Sequence, residues 1–203
     1  MIITQILEKS KTKAVLFADG EEWCTLPVKT VRSYGLSEGS ELPEAVCASV
    51  EKELYKLALA KCGELLGGSD YTEYSMRQKL ETGGYPTAII DRVLQELKDA
   101  HYLDDRRYTE SYIRSRSQRQ SFLKIRMDLR QKGIPGALID EVLEEMDSEM
   151  DPADEEEQQI RAFFRKKNFD PETADPETRM KMLASLYRKG YRRDAISRVM
   201  EES

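Results

Sequence analysis

Three stretches of this chain align with one another without gaps, at 76–94, 125–143 and 182–200. In each, two apolar residues four apart (Met76 and Leu80, Ile125 and Leu129, Met182 and Leu186) mark one face of a helix. A glycine then recurs at the same place, Gly84, Gly133 and Gly190, suited to the left-handed position that stops a helix without a Cβ penalty. The residue after it is apolar (Tyr85, Ile134, Tyr191), where such stops carry a hydrophobic contact. Pro86 and Pro135 preset φ for a second helix, whose buried stripe is Ile90, Val93, Leu94 and their counterparts. A further helical stretch precedes each pair, at 54–66, 108–116 and 160–167. The unit is thus three helices and about 50 residues, a period in the range of stacked repeat proteins. So small a unit has a thin core, which favours stacking on neighbours. The expected fold is mainly α, with three tandem three-helix repeats in an elongated curved array.

Residues 1–42 read differently. Ile2 to Leu7 is β-branched and apolar, and Ala14-Val-Leu-Phe-Ala18 is a strand candidate. Asp19-Gly20 between it and Glu21 to Leu26 is a hairpin signal, because a tight turn needs positive φ. Pro27 ends the strand, and Val28 to Tyr34 has room for a turn or two of helix before Gly35. A small β-rich N-terminal extension is expected. The division is then 1–53 for a hairpin-containing extension with a lead-in helix, 54–103 for the first repeat and 104–146 for a basic second repeat. An acidic linker at 147–159 and a third repeat at 160–203 complete it. Gly67-Gly68-Ser69-Asp70 breaks the first helix and Thr72 is a candidate N-cap for the next. Asn168 to Thr178, with Pro171 and Pro176, reads as a longer loop.

The formal charge of −6 argues at face value against a nucleic-acid partner. That charge is an average over unlike parts. Segment by segment it is −3 over 1–53, −1 over 54–103, +1 over 104–146, −7 over 147–159 and +4 over 160–203. One acidic connection therefore conceals two basic surfaces. The first lies within 106–132, where Arg106, Arg107, Arg114, Arg116, Arg119, Lys124, Arg126, Arg130 and Lys132 face only Glu110 and Asp128. The acids at 140–145 belong to a different helix, so this field is expected to be unneutralised and fit for phosphates or an acidic protein face. A solvated helix face is the bland alternative. The second surface includes Lys166, Lys167, Arg188, Arg192 and Arg193, with Tyr187 among them as a candidate for stacking on a base. Tyr191 falls on a repeat core position instead.

Chemistry is poorly served. His101 is the single histidine, with no nucleophile or metal-ligand pattern around it. Asp104-Asp105 precedes an amphipathic helix and suits capping better than a carboxylate dyad. Gly67-Gly68 lacks the context of a phosphate loop. Cys24, Cys47 and Cys62 are odd in number and far apart, which fits a reducing cytoplasm. No apolar run spans a membrane, and the start lacks the pattern of a leader. No enzyme activity, cofactor or metal is expected, and the chain is expected to be monomeric.

The sequence His101-Tyr-Leu-Asp-Asp-Arg-Arg-Tyr-Thr-Glu-Ser-Tyr-Ile-Arg-Ser-Arg116, followed by Lys124-Ile-Arg-Met-Asp-Leu-Arg-Gln-Lys-Gly-Ile134, resembles the signature of the bacterial RecX regulators. Asp19-Gly-Glu and Tyr34-Gly-Leu-Ser-Glu-Gly-Ser-Glu-Leu42 resemble the extension of Gram-positive members. The likeness covers essentially the whole chain and is most specific in the second repeat. His101 stands where glycine is usual, Asp128 replaces the common Glu, and Gln120-Ser-Phe replaces a glycine-containing turn. The resemblance implies a helical repeat protein that binds the RecA recombinase filament on single-stranded DNA. It also implies restraint of the filament's ATPase, strand exchange and LexA co-protease activities, with consequences for recombination, repair and the SOS response. Contact with single-stranded DNA, direct or through the filament, is part of what it implies.

Two other readings compete. Three-helix units with a glycine turn are the raw material of helix-turn-helix DNA binders. However, the helix after each turn (89–97, 138–145) carries few bases and ends in acids, unlike a recognition helix. A purely structural scaffold is the third reading.

Overall fold

A computed structural model describes residues 1–117, 119–147 and 152–201. They form two compact units, Met1–Asp104 and Asp105–Ser203.

The first unit opens with an antiparallel meander of β1 (Ile3–Glu8), β2 (Lys13–Ala18) and β3 (Glu21–Pro27), in the order β1-β2-β3. Asp19 and Gly20 turn β2 into β3 with φ of 50° and 90°, as the D-G signal requires. Ile3, Ala14, Leu16, Cys24 and Leu26 point inward. Along the outer edge of β1 the Ile6 N–H donates to the Glu38 carboxylate at 2.7 Å, which occupies a group that would otherwise recruit another strand. Helices α1 (Val28–Ser33), α2 (Glu44–Leu66), α3 (Glu73–Thr82) and α4 (Thr87–Asp99) follow. Helix α2 begins directly after Pro43, joins the lead-in helix and the 54–66 stretch into one, and buries Val50, Leu54, Ala58 and Cys62. Sheet and helices share one core, in which Met76, Leu80, Ile90, Val93 and Leu94 carry the repeat pattern. Thr72 caps α3 through a reciprocal pair of bonds with Ser75.

The second unit holds α5 (Asp105–Arg116), α6 (Phe122–Gln131), α7 (Gly136–Asp147), α8 (Pro152–Lys167), α9 (Pro176–Lys189) and α10 (Arg193–Glu201). Ile113, Ile125, Leu129, Ile134, Ile139 and Val142 make one core. Ile160, Phe164, Leu186, Tyr191, Ile196 and Val199 make another.

The three glycine stops share one hydrogen-bond pattern. Tyr85 N–H donates to the Leu80 carbonyl at 3.3 Å, Ile134 to Leu129 at 3.1 Å and Tyr191 to Leu186 at 3.3 Å. The glycine N–H groups donate to the carbonyls of Glu81, Arg130 and Tyr187. With φ of 77°, 82° and 82° at the glycines, these are Schellman closures. Two other helices close the same way without glycine. His101 (φ 57°) ends α4, with Tyr102 donating to Leu97 at 2.8 Å. Asn168 (φ 49°) ends α8, with Phe169 donating to Phe164 at 3.0 Å and their rings meeting edge-on. His101 thus occupies a helix-stop position, which accounts for the glycine usual there.

One expectation changes. The loop drawn from 168 to 178 is shorter, because Asp175 caps α9 by accepting from Thr178 N–H at 2.9 Å and Pro176 takes the first helical position. In the 147–159 connection, helix α7 runs through Asp147 and α8 starts at Pro152, so positions 154–157 fall in the first turns of α8. Residues 148–151 of that connection lie outside the described residues. No described helix is long and apolar enough to cross a membrane.

Candidate interaction surface

Helix α5 buries Thr109 and Ile113, and α6 buries Ile125 and Leu129. This leaves Arg107, Arg114, Arg116, Lys124 and Arg130 exposed, with Arg119 exposed on the connection between the two helices. The field is only partly open. Helix α7 is a different helix, as expected, yet its acids reach back. Arg106 pairs with Glu141 and, at 2.7 Å, with Glu145, and these contacts push its guanidinium above its ordinary range, the Glu145 hydrogen bond first. Arg126 pairs with Asp140 at 2.8 Å, and Lys124 with Asp128 at 2.6 Å. Arg106 and Arg126 thus tie α5 and α6 to α7, while the Lys124 pair lies within α6. Arg114, Arg119 and Arg130 make no ion pair among the described residues.

Beside them stands a cluster of rings and cations. Tyr108 and Tyr112 stack at 6.1 Å, Lys132 Nζ lies 5.8 and 5.7 Å from their centroids, and the Arg116 guanidinium sits 5.2 Å over Tyr112. Burial, with the charge of Asp128 and against Arg116 and Lys132, pushes the Tyr112 hydroxyl up, so it stays protonated.

Around α8 to α10 the second basic set separates similarly. Lys166 and Lys167 are exposed in the last turn of α8, where cations suit the helix dipole. Arg188 is exposed and donates from Nε to the Ala184 carbonyl at 3.3 Å, and Arg193 is exposed at the start of α10. Arg192 has a structural partner: the buried Glu156 accepts from its N–H at 3.1 Å and its Nε at 2.8 Å. Tyr187 is 48% exposed, whereas Tyr191 is buried in the core.

The two repeats of this unit meet at Ser121 and again where the Gln159 side-chain amide donates to the Ser117 carbonyl. Ser121 Oγ caps α6 by accepting from Lys124 N–H at 3.3 Å and donates to the Lys189 carbonyl at the end of α9, at 2.8 Å. Ser121→Ala removes both contacts at a buried site, and thermal or urea unfolding should show a loss of about 1–2 kcal/mol.

Sequence reasoning missed a set of exposed apolar side chains. Leu123, Met127 and Met180 are 52%, 52% and 66% exposed. The repeat alignment held the signal, since Leu123 and Met180 both lie two residues before the first inward residue of the pattern, Ile125 or Met182. Burial, with Glu22, pushes the Cys24 thiol up to about 12, and burial pushes Cys62 up to about 11. Among the described residues no cluster of acids, histidine and cysteine could hold a metal.

Family models for the first, second and third three-helix domains of RecX match residues 58–97, 104–143 and 154–200. The regulatory protein RecX of Trichlorobacter lovleyi is 31% identical over 140 residues, 68% of this chain and 90% of that one. The chain belongs to the RecX family of regulatory proteins. A RecX of Clostridium beijerinckii is 27% identical over 203 residues, covering 98% of this chain and 92% of its own. A crystal structure of a regulatory protein RecX matches with a TM-score of 0.63 at 22% identity, over 98% of both chains. RecX from Lactobacillus salivarius matches with a TM-score of 0.62 at 18% identity, over 74% of this chain and 97% of that one. At those identities the structures speak for the fold alone.

Proposed function

We propose that this RecX protein binds the RecA filament on single-stranded DNA and holds back its activities: ATP hydrolysis, strand exchange and LexA co-protease function. It thereby tempers recombination, repair and the SOS response in the cytoplasm. The observation that carries this is family membership by all three helical domains, together with cations that their own fold does not neutralise. Arg114, Arg116, Arg119 and Arg130 are exposed and available to a nucleoprotein. The action proposed is that of a non-catalytic ligand, in keeping with a family of regulatory proteins. The acids of α7 weigh against a helix-turn-helix reading. Glu141, Glu144 and Glu145 are exposed on the helix that would enter a DNA groove. Titrating this protein into RecA on single-stranded DNA should lower ATPase at near-stoichiometric amounts. Unchanged ATPase, strand exchange and co-protease activity across the titration overturns the proposal.

A further inference from the structure

The middle helices of the three repeats, α3, α6 and α9, turn the same positions inward, with Met182 half-buried where Met76 and Ile125 are buried, and expose the same positions. The first exposed position holds Tyr74, Leu123 or Met180, at 45%, 52% and 66% exposure. The next, one turn on, holds Gln78, Met127 or Ala184, and the third holds Glu81, Arg130 or Tyr187. In α3 this row is polar, and Gln78 donates to the Tyr74 hydroxyl at 2.8 Å. In α6 it is aliphatic and cationic. Leu123 and Met127 stand four apart, Arg130 continues the row, and Arg126 flanks it. The one acid on α6, Asp128, faces away and is held by Lys124. At its N-terminal end Leu123 lies against the turn at Gly190 that closes α9.

We infer that the α6 row of Leu123, Met127 and Arg130 is the protein-binding face of this chain, docking on a surface of the recombinase that offers apolar side chains bordered by carboxylates. This rests on the proposed function and divides its two partners between different residues. Aliphatic side chains gain nothing from phosphates but lose water against another apolar surface, while methionine adapts to an irregular one. Arginine and methionine are favoured in the buried centres of protein interfaces. Arg130 makes no ion pair among the described residues, which leaves its guanidinium open to a carboxylate of the partner. Single-stranded DNA, by contrast, calls for rings and cations together, and those lie on α5 around Tyr108, Tyr112 and Arg116.

The test compares full-length wild type with the double variant Leu123→Gln/Met127→Gln. Each is titrated against RecA filaments on single-stranded DNA with a non-hydrolysable ATP analogue, and against an oligo-dT strand alone. Both side chains are half exposed, so the melting temperature should not move. Filament binding should weaken by about 10-fold or more, the scale of two interface anchors, while binding to the bare strand stays within about 2-fold of wild type. Unchanged filament binding overturns the inference and leaves the proposed function standing. Loss of filament and bare-strand binding together also overturns it, and assigns the row to nucleic acid. A wild type that ignores the filament overturns the proposed function and the inference with it.

Discussion

Gly84→Ala should be among the most damaging single changes in this chain. Gly84 has a φ of 77°, and a Cβ built on it falls 2.0 Å from Thr25 Oγ1 and 2.6 Å from Thr25 Cβ. The left-handed backbone costs a side-chain-bearing residue about 1–2 kcal/mol, and pushing back the neighbouring strand adds about 1–3 kcal/mol. The strand cannot yield freely, because Thr25 N–H donates to the Gly84 carbonyl at 2.8 Å. A total near 3–4 kcal/mol follows, read as a lower urea midpoint. Gly35→Ala is the internal comparison. Its φ is 61° at a stop of the same kind, but nothing lies within 4 Å of its Cβ. It should lose only the backbone part, about 1–2 kcal/mol. Equal losses at the two positions would refute the contact with β3.

The largest functional effect is expected from reversing the cations that the fold leaves open. Arg114→Glu, Arg116→Glu and Arg130→Glu together change the local charge by six without breaking an ion pair among the described residues. Filament binding should fall by about 100-fold or more at low salt, with a shallower salt dependence, because steering and phosphate contacts both depend on these charges. Circular dichroism should be unchanged. Arg106→Glu forms the contrast. It sets a third acid beside Glu141 and Glu145, so its loss should register as weakened folding. If the triple variant keeps all its binding, the chain is acting through other faces and the scaffold reading gains.

Much of this was legible in the sequence. The glycine stops, the paired apolar residues and the buried stripes follow from local chemistry, and that chemistry survives into the fold. The D-G turn and the Thr72 cap are equally local. What local reading missed depends on packing or on weaker caps. The start of α9 was drawn too late because the cap at Asp175 lies one turn before the repeat register. The acids of α7 were assigned correctly to another helix. Only packing shows that Asp140, Glu141 and Glu145 reach Arg126 and Arg106, so that a charge count over 106–132 overstates the open field. The exposed Leu123 and Met127 look like core residues in a hydropathy reading. They declare themselves only once Ile125 and Leu129 take the inner face.

The hydroxyl of Ser121 has a wider consequence for how the second unit comes apart. It closes the start of α6 and the end of α9, two helices nearly seventy positions apart in the chain, with the positive pole of one set against the negative pole of the other. Fraying at either end unseats the other, so these two repeats are built to open together as one cooperative block. Their backbone amides should then lose hydrogen-exchange protection together rather than one repeat at a time.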